Sequence, residues 1–548
     1  MIDVFLARQI ITMNSAIPEA SAIAVRDGQI LEVGTLDSLS PWLIRHEHRI
    51  IDQFSEQVMV PGFIDPHLHP AMAAVILPMH FVTAMPWSLP WGDVPASLTP
   101  EAFDAEMRRI AKEAADELLI FWGHHDLWHA EMSRARIDGI DSDRPMVVWN
   151  RSFHELHMNS ACLTLLGITD TSVGHRAQID WEKGRFFENG LGFAIQKLNP
   201  FILAPDRFTF GLERLKQVVH RGGHTTIGDM AVGLFDFDRE IEAARTIFDQ
   251  PSTPFRIEQV AHGAVVSHQK EFAAVDAQLD QLVQNSGHRL NFRKRIKLFA
   301  DGAFFSQLAQ LMPPGYLDGH QGEWLMAPDV LREHIRNFWS AGYQIHVHVT
   351  GDLGVEMALD CLEAVQREQP RFRHGFTLEH FGYATPEQIV RAQELGASVS
   401  ANIYYLHELS ARYAEMSVGY ERAASMGRLK SCFSAGITTA LHSDFTMAPA
   451  QPLLNMWVAV NRINAQGEQM GPEECLTPQQ ALSAVTLSAA KILGIDDFTG
   501  SLRAGKRADV TVLSDNPLTV PAMKIKDIQV LATVFEGKVA LASDPDHG

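Results

Sequence analysis

Short runs of alternating hydrophobic and polar residues occupy both ends of the chain, which is the pattern of β-strands with one buried face. Residues 2–34 contain several such runs, and the Asp27-Gly28 step between two of them predicts a hairpin turn. The same pattern returns at residues 508–541. We therefore expect the two termini to combine into one small β-sandwich.

Between the termini, apolar strand-like runs alternate with helical stretches from about residue 58 to about residue 495. Residues 344–349 predict a buried strand, and residues 354–369 predict the helix that follows it. Repetition of this order is typical of βα units, which build parallel sheets. The pattern therefore predicts an α/β protein.

These patterns divide the chain into two predicted domains. Residues 1–60 plus 496–548 form the composite terminal β domain, and residues 61–495 form the α/β domain. Within the second domain, a tryptophan-rich segment at about 78–200 departs from the strand–helix rhythm. We therefore interpret this segment as an insertion that could fold over the barrel mouth. A single large α/β barrel with insertions could take most of a chain of this length.

Charge limits the classes of binding partner, and hydropathy and cysteine content indicate the cellular location. The net charge of −20 argues against nucleic acid or an anionic membrane surface. The N-terminus lacks a signal-peptide pattern, and no apolar run approaches the roughly 18 residues of a membrane span. The four cysteines are scattered without a Cys-X-X-Cys pair, as expected in a reducing compartment. We expect a cytoplasmic protein that binds a small-molecule substrate.

A His-X-His pair follows the first strand of the α/β region, in the segment Pro61-Gly-Phe-Ile-Asp-Pro-His-Leu-His-Pro70. Side chains alternate along a strand, so His67 and His69 point to the same face and can reach one metal ion. The competing interpretation is a pair of polar residues in a loop. The pair alone does not distinguish these two readings.

Further side chains with metal-binding chemistry end later predicted strands. Lys297, His348, His380 and Asp444 each follow an apolar run, and His346 shares a face with His348. Any one of these residues is more often a packed core residue or an ion-pair partner than a ligand. Such a series is harder to explain by packing, because the active sites of α/β barrels gather at the carboxyl ends of the strands.

These segments resemble the amidohydrolase superfamily, and within it the branch of N-substituted formamide deformylases and related amide hydrolases. The matching segments are 61–69, 297–302, 348–352, 378–380, 443–444 and 500–510. The resemblance implies a distorted (β/α)8 TIM barrel with a small β-sandwich built from both chain termini. It also implies metal dependence and the possibility of self-association into a homo-oligomer.

The resemblance assigns the metal ligands residue by residue. His67 and His69, with Asp444 beside them, would hold a first divalent ion, and His348 and His380 would hold a second. The expected cofactor is a pair of zinc ions in each chain. The branch resemblance carries this assignment, and the spacing of the residues does not establish it independently.

Two of these residues are also implied to take part in catalysis. Lys297 would be carbamylated on its amine, because a carbamate has two oxygens that can bridge two cations, whereas an ammonium would repel them. Asp444 would accept a proton from the metal-activated water and deliver it to the leaving nitrogen. Hydroxide produced in this way would attack the carbonyl carbon.

Three residues are candidates for substrate contact. His154 lies in a segment that resembles the substrate side of relatives, and it is either an oxyanion or substrate contact or an ordinary helix-start histidine. His442 stands where a glycine is common in relatives, and it touches substrate, supports a ligand or fills space. Trp87 belongs to the aromatic insertion, which predicts an apolar pocket. We expect His346 to pack behind His348.

The chain is therefore predicted to be a metal-dependent hydrolase of a non-peptide carbon–nitrogen bond, an amide, N-acyl or N-formyl group of a small hydrophobic substrate. One alternative on the same fold is a mononuclear cyclic-amide hydrolase or deaminase. A catalytically silent structural relative is the alternative of another class. Silent relatives usually lose ligands, and here every ligand position carries a suitable residue.

Overall fold

A computed structural model describes residues 1–174, 178–263 and 271–542. Residues 175–177 of the predicted insertion and residues 543–548 of the predicted terminal domain lie outside this part. The strands form a terminal sheet, a barrel sheet, an insertion sheet and a two-stranded ribbon. The barrel sheet lies at the centre of the site described below.

Both ends of the described chain contribute to one mixed sheet of eight strands. Its strands are Ile2–Ile11, Glu19–Arg26, Gln29–Gly34, His48–Ile51, Val58–Pro61, Val510–Leu513, Val530–Phe535 and Lys538–Leu541. The predicted hairpin is confirmed, since Asp27 and Gly28 both have positive φ and connect paired strands. The two ends meet where Val58–Pro61 pairs antiparallel with Val510–Leu513. A two-sheet sandwich and the predicted domain boundaries stay predictions.

The central sheet has eight parallel strands in chain order and curls into a nearly closed barrel. Its strands are Phe63–Leu68, His224–Val232, Arg256–His262, Leu290–Phe299, Gln344–Val349, Thr377–His380, Ser398–Ala401 and Thr439–Leu441. The predicted strand at 344–349 has these bounds, and the predicted helix at 354–369 spans Asp352–Glu368. The α/β class and the barrel are confirmed.

Polar contacts close the gap between the first and last barrel strands. The buried Asp65 carboxylate accepts the Ser443 backbone N–H at 3.2 Å and also the Ser443 hydroxyl. The Asp444 N–H donates to the His67 carbonyl at 3.0 Å. Closure of the barrel therefore brings Asp444 to His67, although 377 residues separate them along the chain.

Helices connect the strands and pack around the barrel. The α-helices of the described chain are Ser40–Leu43, Pro70–Ile76, Pro100–Glu113, Asp126–His129, Arg134–Asp138, Ser160–Leu165, Asp170–Val173, Asn189–Ile202, Pro205–Arg221, Phe237–Phe248, Phe272–Gln284, Pro328–Ser340, Asp352–Glu368, Pro386–Glu394, Tyr404–Met416, Tyr420–Ala424, Leu429–Ser434, Pro452–Asn461, Pro478–Ala484 and Leu487–Ile492, and the 3-10 helices are Pro472–Glu474 and Ala522–Asp527. Among the described residues, none of these helices has the length and apolar character needed to cross a membrane.

The predicted insertion builds a sheet of its own between the first and second barrel strands. Its strands are His80–Phe81, Leu119–His124, Met146–Asn150, Glu155–Met158, Ile179–Asp180 and Arg185–Phe187, and Trp87–Leu89 pairs separately with Gly92–Val94. A buried ion pair, Arg151 Nη2 to Glu408 Oε2 at 2.8 Å, fixes this insertion to the barrel helix Tyr404–Met416. The Arg151 guanidinium also lies about 5 Å from the rings of Trp87, Trp122 and Phe305.

Candidate metal centre

The Pro61-Gly62 step moves the chain from the terminal sheet into the barrel. Val58–Pro61 belongs to the terminal sheet, and Phe63–Leu68 begins the barrel. A Cβ at Gly62 would lie 2.0 Å from the Thr225 hydroxyl, so only glycine fits this close approach. This turn sets the register of the first barrel strand and with it the position of the His-X-His pair.

Glu379 connects two buried histidines of the barrel. Its Oε2 lies 2.7 Å from His67 Nδ1, and its Oε1 lies 2.7 Å from His346 Nδ1. An ionised carboxylate can only accept hydrogen bonds, so both imidazoles donate from Nδ1. The Nε2 lone pair of His67 therefore remains available for a metal.

Three other predicted ligands lie around that Nε2 atom. Asp444 Oδ1 lies 3.0 Å from His69 Nε2 and 3.5 Å from His67 Nε2. The Lys297 Nζ is 3.3 Å from His67 Nε2. Ligand atoms of His67, His69 and Asp444 all lie within 4.8 Å of one another, which is close enough to share one ion.

The two ligands predicted for a second ion lie beside this group. The ring centroids of His348 and His380 are 4.3 Å apart, and His380 Nδ1 is 3.5 Å from Asp444 Oδ2. Tyr405 reaches the same His380 nitrogen with its hydroxyl at 3.4 Å. The structure thus brings all the sequence-predicted metal residues to one end of the barrel.

His442 is also part of this cluster. Its ring stacks on that of His67 with centroids 4.4 Å apart, and its ligand nitrogen lies within 4.8 Å of those of His67 and His380. Neither ring nitrogen has a hydrogen-bond partner within the described chain. His442 is not among the residues lining the adjacent cavity. A position beside the ligands is thus observed, and substrate contact stays a prediction.

Electrostatics keep the histidines neutral and the central carboxylate charged. Burial, followed by the charge of Lys297, holds the pKa of His67 and His348 well below the usual value. Burial alone would raise the pKa of Glu379, but the hydrogen bond from His346 and the Lys297 charge lower it. Burial lowers the pKa of Lys297 to about 8. Neutral imidazoles and ionised carboxylates are the forms that bind metals.

This donor set fits a divalent ion. Imidazole nitrogens and a carboxylate oxygen converge in a buried position, and His348 Nε2 has no hydrogen-bond partner among the described residues. Burying such a nitrogen without a partner is unfavourable, and a metal ion would satisfy it. His67, His69, His348, His380 and Asp444 would supply the side-chain ligands.

A cavity of about 380 Å³ opens onto these residues. Lys297, His69, His348, His380 and Asp444 line it together with residues of the insertion. Most of the remaining lining is apolar or aromatic and includes Met72, Phe153, Phe299, Phe304, Phe305 and Tyr405. The size and lining suit a small, largely hydrophobic ligand.

The structure separates two of the predicted substrate contacts. His154 lines the cavity, and its ring centroid is 6.2 Å from that of His348. It precedes the strand Glu155–Met158, so it is not a helix-start histidine. Trp87 instead packs 5.6 Å from the ring of Trp122 and lines a separate surface groove. The structure does not bring Trp87 to the metal residues.

Sequence reasoning did not assign a role to Glu379, Asp65 or Glu188. Glu379 directly precedes His380, and the side chains of neighbouring residues in a regular strand point to opposite sides. The strand pattern therefore directed only one of these two residues, His380, to the site. His380 has φ of 68°, outside the strand region, and both side chains reach the cluster. The available signal was an acidic residue one position before His380 for Glu379, and two positions before His67 for Asp65. No signal pointed to Glu188.

Comparison with known proteins adds an independent line of evidence. The model of the Amidohydrolase family matches residues 55–541. An N-substituted formamide deformylase from Arthrobacter pascens is 24% identical over 540 residues, covering 94% of each chain. The putative amidohydrolase YtcJ of Bacillus subtilis (strain 168) is 25% identical over 551 residues, covering 97% of each chain.

Solved structures share the fold at lower sequence identity. An uncharacterised metal-dependent hydrolase from Pyrococcus horikoshii OT3 superposes with a TM-score of 0.72 at 20% identity, covering 95% of this chain and 99% of its own. Atrazine chlorohydrolase TrzN from Arthrobacter aurescens TC1, solved with zinc, gives a TM-score of 0.51 at 14% identity, covering 98% and 95%. These similarities extend over nearly the whole chain.

Proposed function

This chain belongs to the amidohydrolase family, and we propose that it cleaves the amide, N-acyl or N-formyl bond of a small hydrophobic substrate. It is a metal-dependent hydrolase that acts on carbon–nitrogen bonds other than peptide bonds. One observation carries the finer proposal: the metal-binding residues form one end of a cavity whose other walls are mainly apolar.

Two divalent ions, most suitably zinc, would be held by this chain. His67, His69 and Asp444 form the first ligand group, because their ligand atoms lie within 4.8 Å of one another. His348 and His380 form the second, beside the other carboxylate oxygen of Asp444. When bound, such ions supply Lewis acidity, which polarises the scissile carbonyl and makes a nearby water a better nucleophile at neutral pH.

Lys297 would bridge the two groups as a carbamate. Its amine lies 3.3 Å from His67 Nε2 and lines the cavity beside His348. Burial lowers its pKa to about 8, which increases the fraction of neutral amine. The neutral amine attacks carbon dioxide and loses a proton, so that a cation becomes an anion with two oxygens. This change removes a positive charge that would oppose metal binding.

Asp444 would move the proton during hydrolysis. Its carboxylate lies between His69 and His380 and also lines the cavity, so it can reach both an attacking water and the leaving nitrogen of a bound substrate. It accepts the proton of the water and then protonates the nitrogen, which leaves as a neutral amine. The apolar walls exclude bulk water and favour a hydrophobic substrate.

We also propose a cytoplasmic location. Cys162, Cys361, Cys432 and Cys475 are all unpaired in the structure, and the first three are buried. Unpaired thiols are typical of proteins in reducing compartments. The location of a fluorescent fusion of the full chain tests this proposal independently of the activity.

Metal content and intact mass provide the decisive test. Protein purified without added metal is analysed for metal per chain, for mass at neutral and acidic pH, and for hydrolysis of N-formyl and N-acyl derivatives of hydrophobic amines. We expect two ions per chain, a mass increment of one carbon dioxide that acid removes, and turnover that a chelator abolishes and zinc restores.

A matched pair of lysine variants makes this test specific. Lys297→Ala removes the proposed bridge, whereas Lys294→Ala removes a partly exposed lysine from the same strand. Loss of the mass increment and of the second ion in the first variant alone supports the bridge. One ion without an increment in the wild type would favour the mononuclear alternative, and a metal-free folded protein would contradict the proposed function.

A further inference from the structure

The insertion contributes a contact between a histidine and a glutamate to the wall of the cavity beside the predicted metal ligands. The Nδ1 atom of His154 lies 3.0 Å from Glu188 Oε2, and both residues line the cavity. The Glu188 backbone N–H also donates to the His154 carbonyl at 3.0 Å. Two segments of the insertion, more than thirty residues apart, are thus joined at this point by side chain and backbone.

Strained backbone accompanies both members of this pair. Phe153 has φ of 64°, and Glu188 has φ of 46° with ψ of −118°. Such angles are unfavourable for residues with a side chain and persist only where the surrounding structure holds them. Because these angles occur at Phe153, next to His154, and at Glu188 itself, the surrounding structure must hold this contact in place.

Glu188 retains an unused acceptor in this buried position. The residue is only 8% exposed, and its Oε1 has no hydrogen-bond partner among the described residues. Leaving a buried carboxylate oxygen without a donor is unfavourable, and a bound ligand that brings a donor would satisfy it. The pKa of His154 is raised, because the Glu188 carboxylate outweighs the lowering effect of burial.

The charge of the remaining cavity wall disfavours a substrate that carries a carboxylate group. Away from the predicted metal ligands, the described residues that line the cavity include no lysine or arginine, and His154 already contacts Glu188. A substrate carboxylate placed against this part of the wall would therefore have no unpaired lysine or arginine to contact. A substrate N–H group would find the acceptor on Glu188.

We propose that Glu188 is a specificity-determining residue that accepts a hydrogen bond from a second nitrogen donor of the substrate, so that the enzyme prefers amine-bearing amides and discriminates against acidic ones. His154 positions the Glu188 carboxylate through their contact. The inference rests on the proposed function, because the bond that is cleaved must lie at the metal residues while the second nitrogen lies at Glu188.

Matched substrates test this preference directly. The probes are N-formyl-2-phenylethylamines with an aminomethyl, a methyl or a carboxyl group at the meta or para ring position. For the wild type, kcat/KM should fall in the order aminomethyl, methyl, carboxyl at one of these positions. A charge-assisted hydrogen bond corresponds to a preference of roughly tenfold or more for the aminomethyl over the methyl compound.

Two glutamate variants separate Glu188 from general charge effects. Glu188→Gln should reduce the aminomethyl preference by about tenfold while leaving turnover of the methyl compound much less changed. Glu182→Gln removes an exposed carboxylate from the same insertion and should behave as wild type. A carboxyl compound that is the best substrate, or a preference unchanged in folded Glu188→Gln, would overturn the proposal.

A binding measurement distinguishes failure of this inference from failure of the proposed function. If neither these formamides nor the corresponding N-acyl amines are hydrolysed, the proposed function fails, but calorimetric titration with the same three formamides still reports on Glu188. Tighter binding of the aminomethyl compound to wild type than to Glu188→Gln supports the specificity role. Equal binding by both proteins contradicts it, whether or not hydrolysis occurs.

Discussion

His67 donates its Nδ1 proton to Glu379 Oε2 across 2.7 Å, from the first strand of the barrel to the sixth. This contact orients the imidazole so that its Nε2 lone pair points towards Asp444 and Lys297. The other oxygen of Glu379 holds His346 in the same way. One buried carboxylate thus sets the tautomer of a predicted metal ligand.

Replacing Glu379 with glutamine should weaken metal binding by about 10- to 100-fold, because the amide can offer its N–H to His67 and no longer enforces the tautomer. The measurement is the metal retained after dialysis against increasing chelator concentrations. Glu387→Gln, on the exposed start of a neighbouring helix, serves as the control. Unchanged chelator resistance in a folded Glu379→Gln protein would show that the hydrogen bond does not prepare the ligand.

Replacing Lys297 with alanine should remove most of the activity, because the bridge between the two ligand groups is lost. Short carboxylic acids should restore part of this activity, since they can supply two oxygens in the space the side chain occupied. Activity is measured with increasing formate, acetate and propionate. Full activity of the variant without any added acid would exclude a bridging role for Lys297.

Replacing Asp444 with asparagine should lower kcat by about 10²- to 10⁴-fold, because the side chain can no longer accept and return a proton. The amide oxygen can still contact an ion, so metal content should fall much less than kcat. Parallel measurements of kcat and metal per chain check this expectation. A variant with nearly normal kcat would refute the assigned proton transfer.

Replacing Arg151 with methionine should destabilise the folded protein by about 3–5 kcal/mol, because Glu408 would remain buried without its partner. The double variant Arg151→Met/Glu408→Met should recover much of this loss, since neither charge then remains buried. Urea unfolding of the wild type and both variants measures the difference. Equal stability of the single and double variants would contradict this explanation.

The Arg151→Met variant should also lose stability as the pH rises. Burial already raises the pKa of Glu408 above 4.5, and Arg151 lowers it, so removing the arginine raises it further. A carboxyl group whose pKa is raised in the folded state binds its proton more tightly there than in the unfolded chain. Such a group favours the folded protein at low pH and destabilises it as the pH rises. The deficit relative to wild type should therefore grow above about pH 4.5 and be small below it. Unfolding curves across this range test the sign.

The positions of the predicted ligands could be found because each lies at or near the carboxyl end of a strand. His67, His348 and His380 end apolar runs, and parallel strands of a barrel present their carboxyl ends on one side. The structure places the rings of His67 and His348 at 4.7 Å and 4.3 Å from the ring of His380. The assignment of particular residues to two ions stays a prediction.

Other parts of the site depend on irregular backbone that local patterns do not encode. Asp444 has φ of 54° and His380 has φ of 68°, so alternation along the strand does not give their directions. The aromatic character of Trp87 suggested that it lines the substrate pocket. In the structure it packs against Trp122 and Arg151 and lines a different groove.

The strand–helix order, the hairpin at Asp27-Gly28 and the set of candidate ligands follow from periodicity and turn chemistry among near neighbours, so they can be read from the chain alone. The contact by which Glu379 orients His67, 312 residues away, comes from the folded arrangement of the strands. The tertiary structure also decided that Glu188 would meet His154 at the cavity. Such pairings depend on barrel closure and on packing of the insertion, which bring together side chains that no local pattern relates.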